Sequence, residues 1–117
     1  SAYEHFYPLL SDLNHEETWA LLTDRSNKVL STLQVSRGGI SGTVVDIRLI
    51  LREALNHYAS GILLGHNHPS GQCKPSPQDR QITRKLKEAA QWMDIVLLDH
   101  IIVCGETYFS YADEGIL

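Results

Sequence analysis

Residues 62–71 read Ile62-Leu63-Leu64-Gly65-His66-Asn67-His68-Pro69-Ser70-Gly71. The opening residues form a short continuous apolar run, as expected of a strand buried on both faces. That run leads straight into two histidines spaced two apart. Side chains alternate across a strand, so both imidazoles project from one face, ~7 Å apart at Cβ. Rings so placed can converge on one ion at ~2.1 Å. Alone the pair is weak evidence, because most His-x-His pairs are surface or loop histidines.

Downstream, Gly, Pro and Ser dominate as far as Pro77, where the spacing predicts a helix carrying Ile82, Leu86, Ala89 or Ala90, and Met93 on one side. Asp79 lies three before Ile82 and seven before Leu86, so it shares the face turned to the core. A carboxylate pointing inward is costly unless it is paired or bound to a cation. The chain therefore aims Asp79 at the edge where the strand ends in its histidines. Two His and one Asp give three protein ligands and leave a fourth tetrahedral position for water, the catalytic rather than the structural zinc pattern. The plainer reading is a capping box, with Ser76 as N-cap, Pro77 at the first helical position and Asp79 three after the cap. Ser76 satisfies both, since its hydroxyl can cap in one state and donate to substrate in another.

Upstream, Phe6, Leu9, Leu10 and Leu13 fall at helical spacing within 3–13. Residues 19–23 and 28–35 read as two strands around the polar turn Asp24-Arg25-Ser26-Asn27. Gly38, Gly39 and Gly42 then mark a bulge or a third short strand. Ile47, Ile50, Leu51, Ala54, Leu55 and Tyr58 make the stripe of a helix packed on a sheet, stopped by Gly61. Residues 95–103 and 107–111 form a last pair of strands across Gly105-Glu106. Helices and strands mix without regular βαβ alternation, so the fold class is α+β, a mixed β-sheet flanked by helices.

The chain has 117 residues, below the ~150 of an average domain, so a single domain is expected over 1–117. A composition 43% hydrophobic and 21% charged, with 4 Pro and 8 Gly, excludes a disordered or collagen-like chain. No apolar run approaches the ~18 residues of a membrane helix, and no basic-then-apolar leader opens the sequence. Lys and Arg number 10 against 14 Asp and Glu, a net charge of −4. That balance argues against bulk affinity for nucleic acid and leaves room for a local patch. Two cysteines, Cys73 and Cys104, are too few for a disulfide framework, so the expectation is a cytoplasmic protein with reduced thiols.

His66-x-His68, then Asp79 after ten residues, with Ser76 three before the aspartate, resembles the JAMM motif of the MPN superfamily of zinc metallopeptidases. The words His66-Asn67-His68-Pro69-Ser70-Gly71 and Leu98-Asp99-His100-Ile101-Ile102 resemble more narrowly the RadC family of bacteria, and the likeness runs from about Leu10 to Gly115. The resemblance implies an MPN/JAMM-like fold with cytidine-deaminase-like layering. It also implies a RadC C-terminal domain without the helical segment that precedes it in the family. By the same resemblance a Zn2+ ion is held by His66, His68 and Asp79, an upstream Glu orients the metal-bound water, and Ser76 stabilises the developing oxyanion. Register against the RadC pattern favours Glu16 as that acid, with Glu17 as the fallback should a bulge shift the strand by one residue.

These parts make a coherent hydrolase. Zinc brings the pKa of its bound water toward ~7, a carboxylate carries the proton to the leaving amine, and the ion and the Ser76 hydroxyl meet the negative oxygen. The leading expectation is a metalloprotease that hydrolyses a peptide or isopeptide amide in a peptide or protein substrate. One alternative is a DNA-repair-associated nucleic-acid-binding or nuclease protein whose preceding segment supplies the DNA contacts. Another is a non-catalytic MPN-like interaction module. Cys73 is expected as a free loop thiol rather than a fourth ligand. His100, beside Asp99, is expected as a hydrogen-bonded structural histidine, with a place behind a metal ligand as the alternative. Arg80, Arg84 and Lys87, with Lys74 in the preceding loop, are expected as a solvated face, with contact to substrate or nucleic acid as the alternative. His5, His15 and His57 carry no pattern, and Trp92 and Met93 are assigned to packing.

Overall fold

The computed structural model describes residues 2–37 and 45–117, so the glycine-marked bulge or strand expected at Gly38, Gly39 and Gly42 lies outside the described residues. Among the described residues the elements in chain order are α1 (Ala2–Leu10), β1 (Glu17–Thr23), β2 (Val29–Arg37), α2 (Ile47–Asn56), β3 (Gly61–Asn67), α3 (Pro77–Trp92), β4 (Val96–Cys104) and β5 (Thr107–Ser110). The strands form one sheet in the order β2-β1-β3-β4-β5. Only the β3–β4 pair is parallel among these; the other three pairs are antiparallel. This is the mixed sheet of an α+β fold.

Alternation along the strands assigns the two faces. Ala20 and Leu22 of β1, with Ile62 and Leu64 of β3, pack with Ile50, Leu51 and Ala54 of α2 and with Leu86 and Ala90 of α3. Leu21 and Leu63 turn the other way, onto Phe6 and Leu10 of α1. Strand β3 is thus covered on both faces, which is why its sequence is apolar without interruption. Gly65 lies beneath Phe6, where an added Cβ would come 2.3 Å from the ring. Glycine lets α1 lie directly on the strand that carries the histidines.

Strand β4 carries an irregularity that determines which side chains reach the site. Leu97 pairs with Ile62, yet the partner of the next residue, Leu63, is Asp99, so Leu98 is extra. An extra residue exchanges the faces of everything beyond it. Leu97 accordingly joins the core beneath α2 and α3, whereas Ile101 and Val103, an even number of residues on, pack on the α1 side. His100 emerges on the α3 face.

Several expected boundaries and faces shift. Helix α1 ends at Leu10, although Leu13 still packs against the α1-side core. Helix α2 ends at Asn56 rather than at Gly61, which instead opens β3. Leu55 is 51% exposed and Tyr58 is 90% exposed in a left-handed conformation (φ 54°), so neither belongs to the buried stripe. Trp92 and Met93 are exposed at the end of α3. The packing expected of them falls to Ile95, which is buried and whose N–H bonds the Ala90 carbonyl as the chain turns into β4.

Cys73 and Cys104 form a disulfide across a sequence separation of 31, with Cα atoms 5.4 Å apart, inside the ordinary range. This corrects the expectation of reduced thiols and of a free Cys73. Two cysteines 31 apart announce nothing by spacing; the parallel β3–β4 pair brings them together. The chain leaving β3 follows the end of β4, where the His68 N–H bonds the Val103 carbonyl. Loop closure of this length stabilises by about 3–4 kcal/mol in the chain-entropy account. Reduction, or Cys73→Ser, is expected to lower the unfolding free energy in urea by that amount. A loss below about 1 kcal/mol would show that the crosslink does not restrain the unfolded chain.

Candidate metal centre

His66 lies in the last turn of β3's pleat and His68 just beyond the strand, on one face. Their Nε2 atoms stand 2.9 Å apart. Asp79 reaches both: Oδ1 is 3.3 Å from His66 Nε2 and Oδ2 is 3.1 Å from His68 Nε2. The far nitrogens are engaged elsewhere. His68 Nδ1 lies 2.7 Å from the Gln72 carbonyl, which can only accept, so that nitrogen carries a proton. His66 Nδ1 lies 2.7 Å from His100 Nε2.

Asp79 is held by the first turn of α3. Its N–H donates to Ser76 Oγ (3.0 Å), while its Oδ2 accepts from the Ser76 N–H (2.8 Å), a complete capping box with Pro77 at the start of the helix. The cap and the inward carboxylate are therefore one structure: the reciprocal bonds that start the helix also aim Asp79 at the histidines. Burial alone would raise the Asp79 carboxyl, but the His66 ring beside it and the hydrogen bond from His68 outweigh it and hold the group well below the usual carboxylate range. The same hydrogen bond to Asp79 raises the pKa of His68, against the opposing effect of burial. Burial, then the neighbouring His66, drives His100 well below the usual imidazole value.

The antiparallel register pairs Thr18 with His66, and two residues further along each chain Glu16 comes alongside His68. Its Oε1 lies 3.9 Å from His68 Nε2, and one ligand atom from each of Glu16, His66 and His68 falls within 4.8 Å of the others. Glu17, the fallback, turns to the opposite face, where its carboxylate accepts from Trp19 Nε1 (3.0 Å) and lies 2.7 Å from His15 Nε2. Glu16, Ser76, Asp79 and the two histidines line one pocket of about 200 Å³.

Two residues in this arrangement escaped the sequence reading. Asn67, buried between the histidines and facing away from them, accepts from the Glu17 N–H (2.8 Å) and donates to the His15 carbonyl (2.9 Å). It thus grips the peptide groups on either side of Glu16. A polar amide inside an apolar strand was the available signal, since a buried Asn needs partners for both ends of its side chain. Thr83, on the buried face of α3, bonds His100 and the Asp79 carbonyl. Cys73 is committed to its disulfide and is no ligand. Arg80, Arg84 and Lys87 line a separate groove beside Leu117, whose carbonyl accepts from Lys87 Nζ (2.9 Å).

A family model described as a RadC-like JAB domain matches residues 1–116. The chain belongs to this RadC-like family. It is 47% identical over 115 residues to a UPF0758 protein of Flavobacterium johnsoniae, covering 98% of this chain and 50% of that protein. A UPF0758 protein of Porphyromonas gingivalis is 48% identical over 117 residues, covering 99% and 52%. One from Streptococcus gordonii is 41% identical over 105 residues, covering 90% and 46%. The RadC-like chain thus spans about half the length of these curated relatives. No helix among its described residues is long and apolar enough to cross a membrane.

Asn67→Ala in this RadC-like domain leaves a buried N–H and a buried carbonyl without their partner and is expected to cost about 2–3 kcal/mol. Asn67→Asp keeps the acceptor but loses the donor, and should fall between the alanine variant and the parent or below both. Chemical denaturation measures these losses; a change under about 0.5 kcal/mol for Asn67→Ala would remove the residue from the role described.

Proposed function

We propose that this domain is a zinc-dependent hydrolase that cleaves a peptide or isopeptide amide. The observation carrying the reading is the convergence of two imidazole nitrogens and one carboxylate within 3.3 Å, each imidazole with its far nitrogen already hydrogen-bonded. Nitrogen lone pairs 2.9 Å apart repel unless a cation or a proton lies between them, and two imidazoles with a carboxylate suit zinc. The residues present therefore fit the group. His66, His68 and Asp79 would hold it. Asp79 is preferred over Glu16 as the third ligand because it lies closer to both rings and is locked by the capping box, whereas Glu16 is more exposed at the rim.

When bound, zinc supplies a water acidified toward neutrality and a Lewis acid for the carbonyl oxygen. Glu16, held by its flanking peptides at the pocket mouth, takes the proton of the attacking water and returns it to the departing nitrogen. Ser76 Oγ accepts from Asp79 yet retains a proton to give, and it donates to the oxygen that becomes negative. The ordinary identity of the bond cleaved follows from these roles: an amide nitrogen needs a proton to leave, and Glu16 is the carrier. Zinc chemistry of this kind also suits phosphodiesters, but the acidic chain and a pocket lining that contains neither Lys nor Arg among the described residues favour an amide.

Purified protein is expected to bind one zinc per chain, measured by elemental analysis, with the metal lost in Asp79→Ala and His68→Ala. Glu16→Gln should keep the metal and lower peptide cleavage by at least about 100-fold. A peptide library and single-stranded and duplex DNA form the substrate panel. Metal-dependent cleavage of DNA with peptides untouched would replace the amide reading, and a wild-type protein that binds no metal would leave an interaction module.

A further inference from the structure

We infer that His100 and Thr83 are positioning residues that dictate which nitrogen of His66 is presented to the metal; the inference rests on the metal-site reading above and extends it to the side chains behind the His66 ring. Donors and acceptors alternate along a buried chain of side chains. It starts at a group whose role is not negotiable, the Asp79 main-chain carbonyl, which can only accept. Thr83 Oγ1 donates its single proton there, at 2.7 Å. The contact between Thr83 Oγ1 and His100 Nδ1, at 2.5 Å, must then be filled by a proton on His100 Nδ1.

Among the described residues neither ring nitrogen of the buried His100 meets a carboxylate that would stabilise a second proton, so with its N–H on Nδ1 its Nε2 is an acceptor, and the neighbour at 2.7 Å, His66 Nδ1, donates to it. That leaves the lone pair of His66 on Nε2, the atom facing His68 and Asp79. This is the assignment that gives every contact one proton, and the run begins and ends on ligand residues, since Thr83 bonds the main chain of Asp79 and His100 bonds the ring of His66. A metal ligand whose second nitrogen is tied in this way is fixed in both tautomer and ring orientation.

The fold holds the relay still. His100 and Thr83 are each 3% exposed. The His100 ring stacks on Tyr111 at 4.6 Å and 9°, and the His100 main-chain N–H donates to Asp99 Oδ1, which also accepts from the Ala112 N–H. Asp99 Oδ2 accepts from Ser110 Oγ, so β4, β5 and the turn after them are pinned beside the ring. The extra residue Leu98 is what turns His100 toward α3 at all. No part of the relay lines up with a catalytic task of its own; its consequence is at His66.

The test compares Thr83→Val, Thr83→Ser and His100→Phe with the parent. Zinc affinity is measured by competition with a chromophoric chelator, and histidine tautomers by nitrogen-15 NMR of the metal-free proteins. Thr83→Ser keeps the hydroxyl and should bind zinc within about 3-fold of the parent. Thr83→Val and His100→Phe should bind about 10–100-fold more weakly, and the metal-free Thr83→Val protein should lose the uniform Nδ1–H form of His66. The inference is overturned if Thr83→Val or His100→Phe binds zinc as tightly as the parent, or if His66 in the parent carries its proton on Nε2. Absence of zinc binding by the parent sinks the metal-site reading instead, and the His66 tautomer then decides the relay separately.

Discussion

The antiparallel register of β1 against β3, with Thr18 opposite His66, is the constraint on which the site depends. Side chains on a strand alternate with period two, so register determines which carboxylate meets the histidines. In the observed pairing Glu16 stands by His68, and Glu17 is carried to the other face with Trp19 and His15. A slip of one residue would exchange the two. Asn67 guards against that slip, because its amide bonds main-chain groups of residues 15 and 17, and those groups lie at the right distances in one register only.

The same sheet has to accommodate buried polar groups without loss of stability. His66, Asn67, Thr83 and His100 are all at most 5% exposed, on or against a sheet otherwise lined with aliphatic side chains. Burying an amide or an imidazole costs several kcal/mol when it has no partner and little when every donor meets an acceptor. Here each of the four is joined to a main-chain carbonyl or N–H, directly or through at most two other side chains. Main-chain groups have fixed polarity, so anchoring the network to them gives it a direction.

Assembly of the site draws on four separate stretches of chain: residue 16, residues 66–68, residues 76–79 and residue 100. Each is located by a different local device. Sheet register places the first two, a capping box the third, and an extra residue in β4 the fourth. The Cys73–Cys104 bridge ties the loop between the histidines and the capping box to the end of β4. The loop's freedom is thereby limited at its middle as well as at its two ends, which suits a segment whose flanks must converge to within about a hydrogen-bond length.

Much of this was legible in the residues themselves. Uninterrupted apolar residues at 62–64 declare a strand covered on both faces, His66 and His68 share a side by period two, and Ser76-Pro77 with Asp79 declares a helix start that points a carboxylate inward. These are local properties, governed by backbone geometry over a few residues, and the sequence by itself determined them along with membership in an α+β class. The resemblance favoured Glu16, and tertiary structure decided that it, not Glu17, stands beside the histidines, along with the pairing of Cys73 with Cys104, the exposure of Trp92 and Tyr58, and the contact of His100 with His66. The placement of Glu16, the disulfide and the histidine contact depend on register between strands distant in sequence or on the single extra residue Leu98, and neither leaves a periodic trace in the chain, because one inserted residue reverses every face beyond it while changing the local pattern by almost nothing.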